Sequence, residues 1–197
     1  MEIIFSRWNP QWRAQFRAIQ ADLGGGLKKN RVSYLTIEHV GSTSIAHLVA
    51  KPMLDILIVV ADADFNDSHR ERLKEVLCFS WDLHHGGYSY KGESSIKGRW
   101  NFTLQGVIPE RKIAVVAENS IYRRSCLAFR DTLKTQWELR EQYSQVKQLL
   151  ARTEIQRIMQ YSTAKNKIVS KVLKKAGWTD EEVDEKEGMV KKWYPEI

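Results

Sequence analysis

The sequence predicts an α+β fold in which a mixed β-sheet is flanked by helices and followed by a helical C-terminal half. Three observations support this prediction. The apolar segment Met53–Val60 is interrupted by one acid and is typical of a strand covered on both faces. Short segments rich in β-branched and aromatic residues lie on either side of it. From residue 119 to about residue 176, apolar residues recur at helical spacing.

The N-terminal part is expected to place one helix and one strand before this central strand. Residues 8–23 predict a helix that ends at the three glycines at positions 24–26. Residues 32–40 are rich in β-branched and aromatic side chains and predict a strand. Ser44 is expected to cap a short helix over residues 45–50.

The middle of the chain is expected to continue the sheet after a second helix, residues 64–78. The further predicted strands are residues 86–90, 100–107 and 112–117, with the sequence GESSIKG, residues 92–98, as a loop. Two or three helices are expected from residue 119 onward, and Thr179 resembles the N-cap of another helix with an acidic first turn.

Charge divides the chain into three parts. Residues 1–118, the expected α/β core, carry a net +2, whereas residues 119–178 carry +9 and residues 179–197 carry −4, for a total of +7. We expect the basic helical region to pack on the core as part of the same domain and the acidic tail to follow it. A basic region attracts phosphates of nucleotides or nucleic acids, although a solvated helix face has the same composition.

Several classes of protein are excluded by composition. No apolar run approaches the length of about 20 residues that a membrane span needs, and the N-terminal residues do not resemble a signal peptide. Cys78 and Cys126 have no metal-binding or redox spacing. We therefore expect a cytoplasmic protein with no membrane partner.

Chemistry is most strongly indicated between residues 37 and 60. Here a predicted strand leads into a Gly-Ser turn, a short predicted helix and the central strand. Backbone amides in such a turn can bind an anion, and Gly41 would let a phosphate approach the backbone. The expected phosphate-binding residues of this turn are Gly41, Ser42, Thr43 and Ser44.

Asp55 is the strongest single candidate for a functional residue, because a carboxylate inside an apolar strand is unfavourable without a partner or a metal. Lys51 could be that partner, could bind a ligand phosphate, or could be a surface lysine. His39 directly precedes the turn region and could transfer a proton, or could be a hydrogen-bonded structural residue. Alternation along the strand places Glu38 and His39 on opposite faces, so at most one of them shares a face with the turn.

The motifs together resemble the GrpB family over about residues 5–177. The central segment IEHVGSTSIAHLVAKPMLDILIVV is the most specific match. Supporting matches are Trp8-Asn9-Pro10-Gln11-Trp12 with Phe16, GGYSYKGE at residues 86–93, Phe129-Arg130-Asp131, and Tyr161 with Lys165.

The resemblance implies a nucleotidyltransferase-like fold, with Gly41 and Ser42 around the phosphates and Asp55 as a ligand of Mg²⁺. Active enzymes of this fold use paired carboxylates to hold two Mg²⁺ ions. This sequence departs from that pattern, with Leu57 at the second position and Gln105 on the strand expected to bring a third acid. The acids that could substitute are Glu38, Glu93 and Glu118.

Three functions follow as hypotheses. The first is Mg²⁺-dependent nucleotidyl transfer from a nucleoside triphosphate to an unknown acceptor, with Asp55 and His39 as catalytic residues. In that hypothesis Lys51, Arg130 and Lys165 would stabilise developing charge. The second is a module that binds a nucleotide or a CoA-like ligand without chemistry. The third is nucleic-acid binding, which is less favoured because the aromatic residues of the basic region have core-like spacing: Trp137, Tyr143 and Tyr161.

Overall fold

The computed structural model describes residues 5–85, 89–96, 99–105, 109–152 and 165–193. Its centre is a five-stranded mixed sheet in the order β1-β2-β5-β4-β3, in which only the β2–β5 pair is parallel. The strands are β1 Thr36–Val40, β2 Met53–Val60, β3 Ser89–Ile96, β4 Arg99–Gln105 and β5 Glu110–Ala117.

Helices cover both faces of this sheet. They are α1 Gln11–Lys29, α2 Asp67–His85, α3 Ile121–Thr135, α4 Trp137–Arg152, α5 Asn166–Lys175 and α6 Asp180–Trp193. The predicted α+β architecture, with a mixed sheet, flanking helices and a helical C-terminal half, is confirmed. No helix among the described residues combines the length and apolar composition needed to cross a bilayer.

The apolar side chains of β2 pack in two directions because they alternate between the faces of the sheet. Ile56 and Ile58 join Phe16 of α1 and Leu73 of α2 in the largest apolar cluster. The opposite face carries a smaller cluster of Val40, Leu57, Val59, Ala114 and Val116, and α3 packs against it through Tyr122, Cys126 and Leu127. Asp55 belongs to this second face, since it alternates with Leu57.

The predicted end of the first helix is wrong. Gly24, Gly25 and Gly26 lie inside α1, which continues to Lys29 because Leu23 and Leu27 on either side of them are buried in the main cluster. Gly24 also allows close packing, since a Cβ at that position would lie 2.8 Å from the Tyr34 hydroxyl oxygen. Tertiary packing here outweighs the low helix propensity of glycine.

Other boundaries also differ from the prediction. Residues 45–50 do not form a helix, because a 3₁₀ turn at Ser42–Ser44 is followed directly by extended backbone at Ile45. Residues 92–96 belong to β3 rather than a loop, with a register shift between Tyr90 and Gly92. The predicted helix at the acidic segment is confirmed: the Thr179 hydroxyl accepts a hydrogen bond from the amide of Glu182, at 3.2 Å.

Candidate functional site

The candidate site is centred on Asp55 and the Gly-Ser turn. Gly41 has φ +67°, and a Cβ at this position would lie 2.1 Å from Oδ2 of Asp55. The Asp55 carboxyl group therefore lies directly against the backbone of the turn. Only glycine satisfies both the positive φ and this contact. The space that we expected a phosphate to use above Gly41 is taken by the side chain of Asp55.

Lys112 lies beside Asp55. In the parallel β2–β5 pair these two residues are register partners, so their side chains project from the same face of the sheet. Leu57 and Ala114 are the next partners on that face. The strand adjacent to Asp55 thus supplies a lysine, and Gln105 lies on β4, which is one strand further away.

Lys147 of α4 contacts the Gly-Ser turn. Its side chain is almost completely buried, and its Nζ donates to the Ser42 hydroxyl at 2.8 Å and to the Val49 carbonyl. The buried Tyr143, one turn earlier on α4, also shares a hydrogen bond with Ser42. Burial, and to a smaller extent the charge of Lys165, lower the pKa of Lys147 to about 7, whereas the charge of Asp55 acts in the opposite direction.

Asp55 stands in the field of four lysines, which we call the lysine cluster: Lys51, Lys112, Lys147 and Lys165. Burial raises the pKa of Asp55, and the four positive charges oppose that rise. Burial lowers the pKa of Lys165 to about 8, and it also lowers the pKa of Lys112. Lys51 is exposed, Lys112 and Lys165 are half-buried, and Lys147 is buried. The cluster and Asp55 together carry a formal charge of +3 when all are ionised.

His39 lies on the opposite face of β1 from this cluster. Its register partner is Ile56, whereas Asp55 is paired with Val40. The imidazole stacks on Phe16 of α1, with ring centroids 4.7 Å apart, and its Nε2 lies 3.0 Å from the Thr43 hydroxyl. Burial, with the nearby charges of Lys134, Arg130 and Arg13, lowers its pKa to about 4. This geometry makes His39 a neutral support of the turn and separates it from Asp55.

The hydroxyls of Thr43 and Ser44 are engaged within the turn. Thr43 is buried and lies 3.3 Å from the carbonyl oxygen of Met53, to which it donates. Ser44 donates to the carbonyl oxygen of Gly41 at 2.6 Å, so it closes the 3₁₀ turn and does not cap a following helix. Ser42 is the hydroxyl of this turn that faces the lysine cluster.

Arg130 of α3 is paired with acids. Its guanidinium donates to Glu38 at 2.8 Å, to the carbonyl oxygen of His39 at 3.2 Å and to Asp131 at 2.8 Å. Arg130 therefore joins α3 to β1 and has three acceptors in the free protein. The same pairing occupies Glu38, which we had considered as a substitute metal ligand.

The residues around Asp55 do not fit a two-metal centre. Among the described residues, no group of three His, Cys, Asp or Glu side chains could hold a metal ion. Glu118 is exposed and follows β5 at the end of the strand opposite to Lys112. The side chains of Glu93 and Gln105 and all of Tyr161 lie outside the described residues. Asp55 alone, facing lysines, is a poor ligand set for Mg²⁺, which prefers several oxygen ligands.

The comparison with protein families decides the wider relationship. The family model described as GrpB protein matches residues 2–175. The chain belongs to the GrpB family. The UPF0157 protein BH1888 of Halalkalibacterium halodurans is 28% identical over 183 residues, or 90% of this chain and 84% of that protein. The UPF0157 protein YqkA of Bacillus subtilis is 30% identical over 132 residues, or 67% of this chain and 36% of YqkA.

Solved structures agree with this assignment. The crystal structure of the conserved protein GrpB from Enterococcus faecalis has a TM-score of 0.66 and 27% identity, and the match covers 97% of this GrpB-family chain and 99% of that one. The GLD-2/RNP-8 complex has a TM-score of 0.58 at 13% identity, over 83% of this chain and 60% of that chain. This likeness shows that the GrpB-family chain shares the nucleotidyltransferase-like fold.

Sequence reasoning missed Lys112 and Lys147. A signal existed for Lys147: it follows Leu139 and Tyr143 at helical spacing, which places it on the buried side of α4. Lys112 is polar at a position of β5 that alternates with the apolar Ala114 and Val116. Its position beside Asp55 depends on strand order, which the local sequence does not contain.

Proposed function

We propose that this protein binds the phosphate groups of a nucleotide, or of a similar phosphorylated small molecule, at the lysine cluster around Asp55. In this proposal the lysines supply the positive charge that divalent metal ions supply in two-metal phosphoryl-transfer enzymes. The observation that carries the proposal is the register pairing of Lys112 with Asp55. A lysine there attracts an anion and repels a metal cation.

The electrostatics of the free site favour an anionic ligand. Burial lowers the pKa of Lys112, Lys147 and Lys165, which means that their charged forms are unfavourable in the free protein. A bound phosphate chain would compensate these charges and raise the three pKa values again. Binding should therefore be accompanied by proton uptake at pH 7, mainly at Lys147, because Lys165, with a pKa of about 8, is already largely protonated at that pH.

Metal-dependent nucleotidyl transfer is less well supported than binding. Metal-dependent transfer needs several carboxylates to hold the metal ions. Leu57 and Lys112 lie next to Asp55 instead of further acids, and Glu38 is paired with Arg130. We therefore propose a phosphate-binding module and derive no transfer step. Gly41 contributes by admitting the Asp55 carboxyl group, and Ser42 by joining the turn to Lys147.

Nucleic-acid binding is supported least. Tyr143 is buried and cannot stack on a base. The predicted burial of Trp137 is wrong, since this side chain is 63% exposed. The acidic helix α6 covers part of the basic region through ion pairs of Arg124 with Glu182 and of Lys174 with Asp180. These pairs reduce the positive field that a nucleic-acid backbone would need.

Thermal unfolding with ligands tests the proposal. Each nucleoside triphosphate and CoA is added to the protein with Mg²⁺ or with a chelator, and the melting temperature is compared. A ligand at about 100 times its Kd stabilises by about 2.7 kcal/mol, which is a shift of several degrees for a chain of this size. We expect at least one phosphorylated ligand to give the same shift in chelator as in Mg²⁺.

Two variants make the test specific to the cluster. Lys112→Gln should weaken the ligand about tenfold or more, because a charge-assisted contact is lost. Lys28→Gln on α1 removes an exposed lysine that is not part of the lysine cluster, and it should leave ligand binding unchanged. A shift that requires Mg²⁺, or no shift with any of these ligands, would overturn the proposal.

A further inference from the structure

Ser42 lies at a sharp turn directly after a strand. β1 ends at Val40, Gly41 has φ +67°, and Ser42 begins the 3₁₀ turn that follows. Hydrolases of several kinds place a nucleophilic serine at a tight turn after a strand, because the turn presents the hydroxyl to a substrate. Ser42 is half-buried and so keeps part of its surface in contact with solvent, whereas the next residue, Thr43, is buried.

The amine of Lys147 is held against this serine by contacts on several sides. Its Nζ lies 2.8 Å from the Ser42 Oγ and also contacts the carbonyl oxygen of Val49. The ring of Phe5 lies 5.1 Å from the same nitrogen and that of Tyr143 lies 5.2 Å from it, measured to the ring centroids. Only 2% of Lys147 is exposed. An amine so enclosed loses most of its hydration, which favours its neutral form.

The hydrogen bonds of Lys147 suit a base as well as a cation. The charged amine donates to both the Ser42 hydroxyl and the Val49 carbonyl. A neutral amine still has a hydrogen for the carbonyl, and its lone pair can accept the proton of the Ser42 hydroxyl, which rotates to donate it. Both forms are present near pH 7, since burial lowers the pKa of Lys147 to about 7. A serine in contact with a neutral lysine is the arrangement of a nucleophile and its general base.

We propose that Ser42 and Lys147 form a nucleophile–base pair that transfers the acyl group of an activated ester or thioester to water. The Ser42 Oγ bonds to the carbonyl carbon while the Lys147 Nζ accepts the hydroxyl proton. The C–O or C–S bond of the substrate then breaks, and the proton passes from Lys147 to the departing alcohol or thiol. Water, deprotonated by Lys147 in turn, cleaves the acyl-serine ester, which releases a carboxylic acid and restores Ser42.

Two observations favour an acyl group over a phosphoryl group as the electrophile. The base is Lys147 without its proton, and a phosphate next to it would favour the charged form instead. A carbonyl oxygen that becomes negative needs hydrogen-bond donors, which the amide after the nucleophile supplies in many hydrolases. In the part of the chain that the structure describes, the amide of Thr43 donates to no protein acceptor. This activity does not depend on the phosphate binding proposed above.

A fluorophosphonate probe tests the nucleophile directly. Its phosphorus bonds to an activated serine oxygen and releases fluoride, and peptide mass spectrometry then identifies the labelled residue. We expect label on Ser42 in wild-type protein and no label in Ser42→Ala. Ser68→Ala, which removes an exposed serine of α2, should be labelled like wild type. Label on Lys147 instead of Ser42, or on neither residue, would overturn the proposal, and this reading of the wild-type protein needs no variant to fold.

Hydrolysis of p-nitrophenyl acetate, in buffer without phosphate, tests the base. After subtraction of the rate with Ser42→Ala, the wild-type rate should rise with pH and level off above about pH 7, where Lys147 is neutral. The other charges that act on Lys147 are Lys165 at the start of α5 and Asp55 of β2.

Lys147→Arg keeps the charge but does not accept a proton at these pH values, so its rate should be lower by about 100-fold or more. Circular dichroism and the melting temperature show whether this variant retains its fold, and Lys147→Met carries the test if it does not. A folded variant that keeps the wild-type rate and pH dependence would refute Lys147 as the base.

Discussion

Replacement of Lys147 by methionine should stabilise the protein at neutral pH. Burial lowers the pKa of Lys147 from 10.5 to about 7, so the unfolded chain binds this proton more tightly than the folded protein. At about 1.36 kcal/mol for each unit of pKa, the resulting cost to folding is about 4 kcal/mol at pH 7 and about 2 kcal/mol at pH 9. The cost is largest below the folded pKa and disappears as the pH rises toward 10.5.

Methionine removes this cost but also removes two hydrogen bonds. Ser42 and the Val49 carbonyl lose their donor, which together costs about 2 kcal/mol. The net expectation for Lys147→Met is a gain of about 2 kcal/mol in the free energy of unfolding at pH 7 and about zero at pH 9. A stabilising loss of charge is what we expect of a residue retained for ligand binding rather than for stability.

Urea denaturation at the two pH values, in buffer without phosphate, measures these free energies. The matched control is Lys167→Met on α5, which removes an exposed lysine. The same variant should also lose affinity for the ligand identified by thermal unfolding. A Lys147→Met protein that is less stable than wild type by the same amount at both pH values would refute the assignment of Lys147 as an unfavourably buried cation.

Three further substitutions test the turn, helix α1 and the α3–β1 contact. Gly41→Ala should lower the free energy of unfolding by about 3 kcal/mol or more, because of positive-φ strain and the clash with Asp55. Gly25→Ala inside α1, where a Cβ meets nothing within 4 Å, should raise the free energy of unfolding by about 1 kcal/mol. Equal effects of the two substitutions in urea denaturation would contradict both structural assignments. Arg130→Gln should lower the free energy of unfolding by about 2 kcal/mol, because it leaves Glu38 unpaired. The ligand affinity of this variant, measured by calorimetry, should stay within about twofold of wild type. A tenfold loss of affinity would instead place Arg130 in the phosphate site.

The parts of the fold that the sequence predicts best are those that local patterns determine. The central strand, the Gly-Ser turn and the N-cap at Thr179 each have a short-range physical cause. The interior glycines of α1 were misplaced because burial of Leu23 and Leu27 is a tertiary effect. Residues 45–50 were misassigned because Ile45 and Leu48 pack against α4 and α5 from an extended connection.

The same distinction applies to the candidate site. Asp55 and the turn are adjacent through one antiparallel hairpin-like pair, and the motif brings them together. Lys112 and Lys147 reach the site only through the β2–β5 pairing and the packing of α4, at sequence separations that no local pattern spans. The prediction that Arg130 contacts the ligand did not anticipate its ion pair with Glu38, because Glu38 is 92 residues away in the chain and no local pattern indicates the pairing.

If this site binds phosphate through lysines and without a metal, the Asp55→Asn substitution should not weaken binding. Calorimetric titration of the identified ligand at pH 7 in a chelator compares the variant with wild type. Because a carboxylate among the lysines would repel a phosphate, we expect Asp55→Asn to bind at least as tightly as wild type, and up to about tenfold more tightly. A loss of tenfold or more would show that the carboxylate itself recruits the ligand and would contradict phosphate binding by the lysines alone.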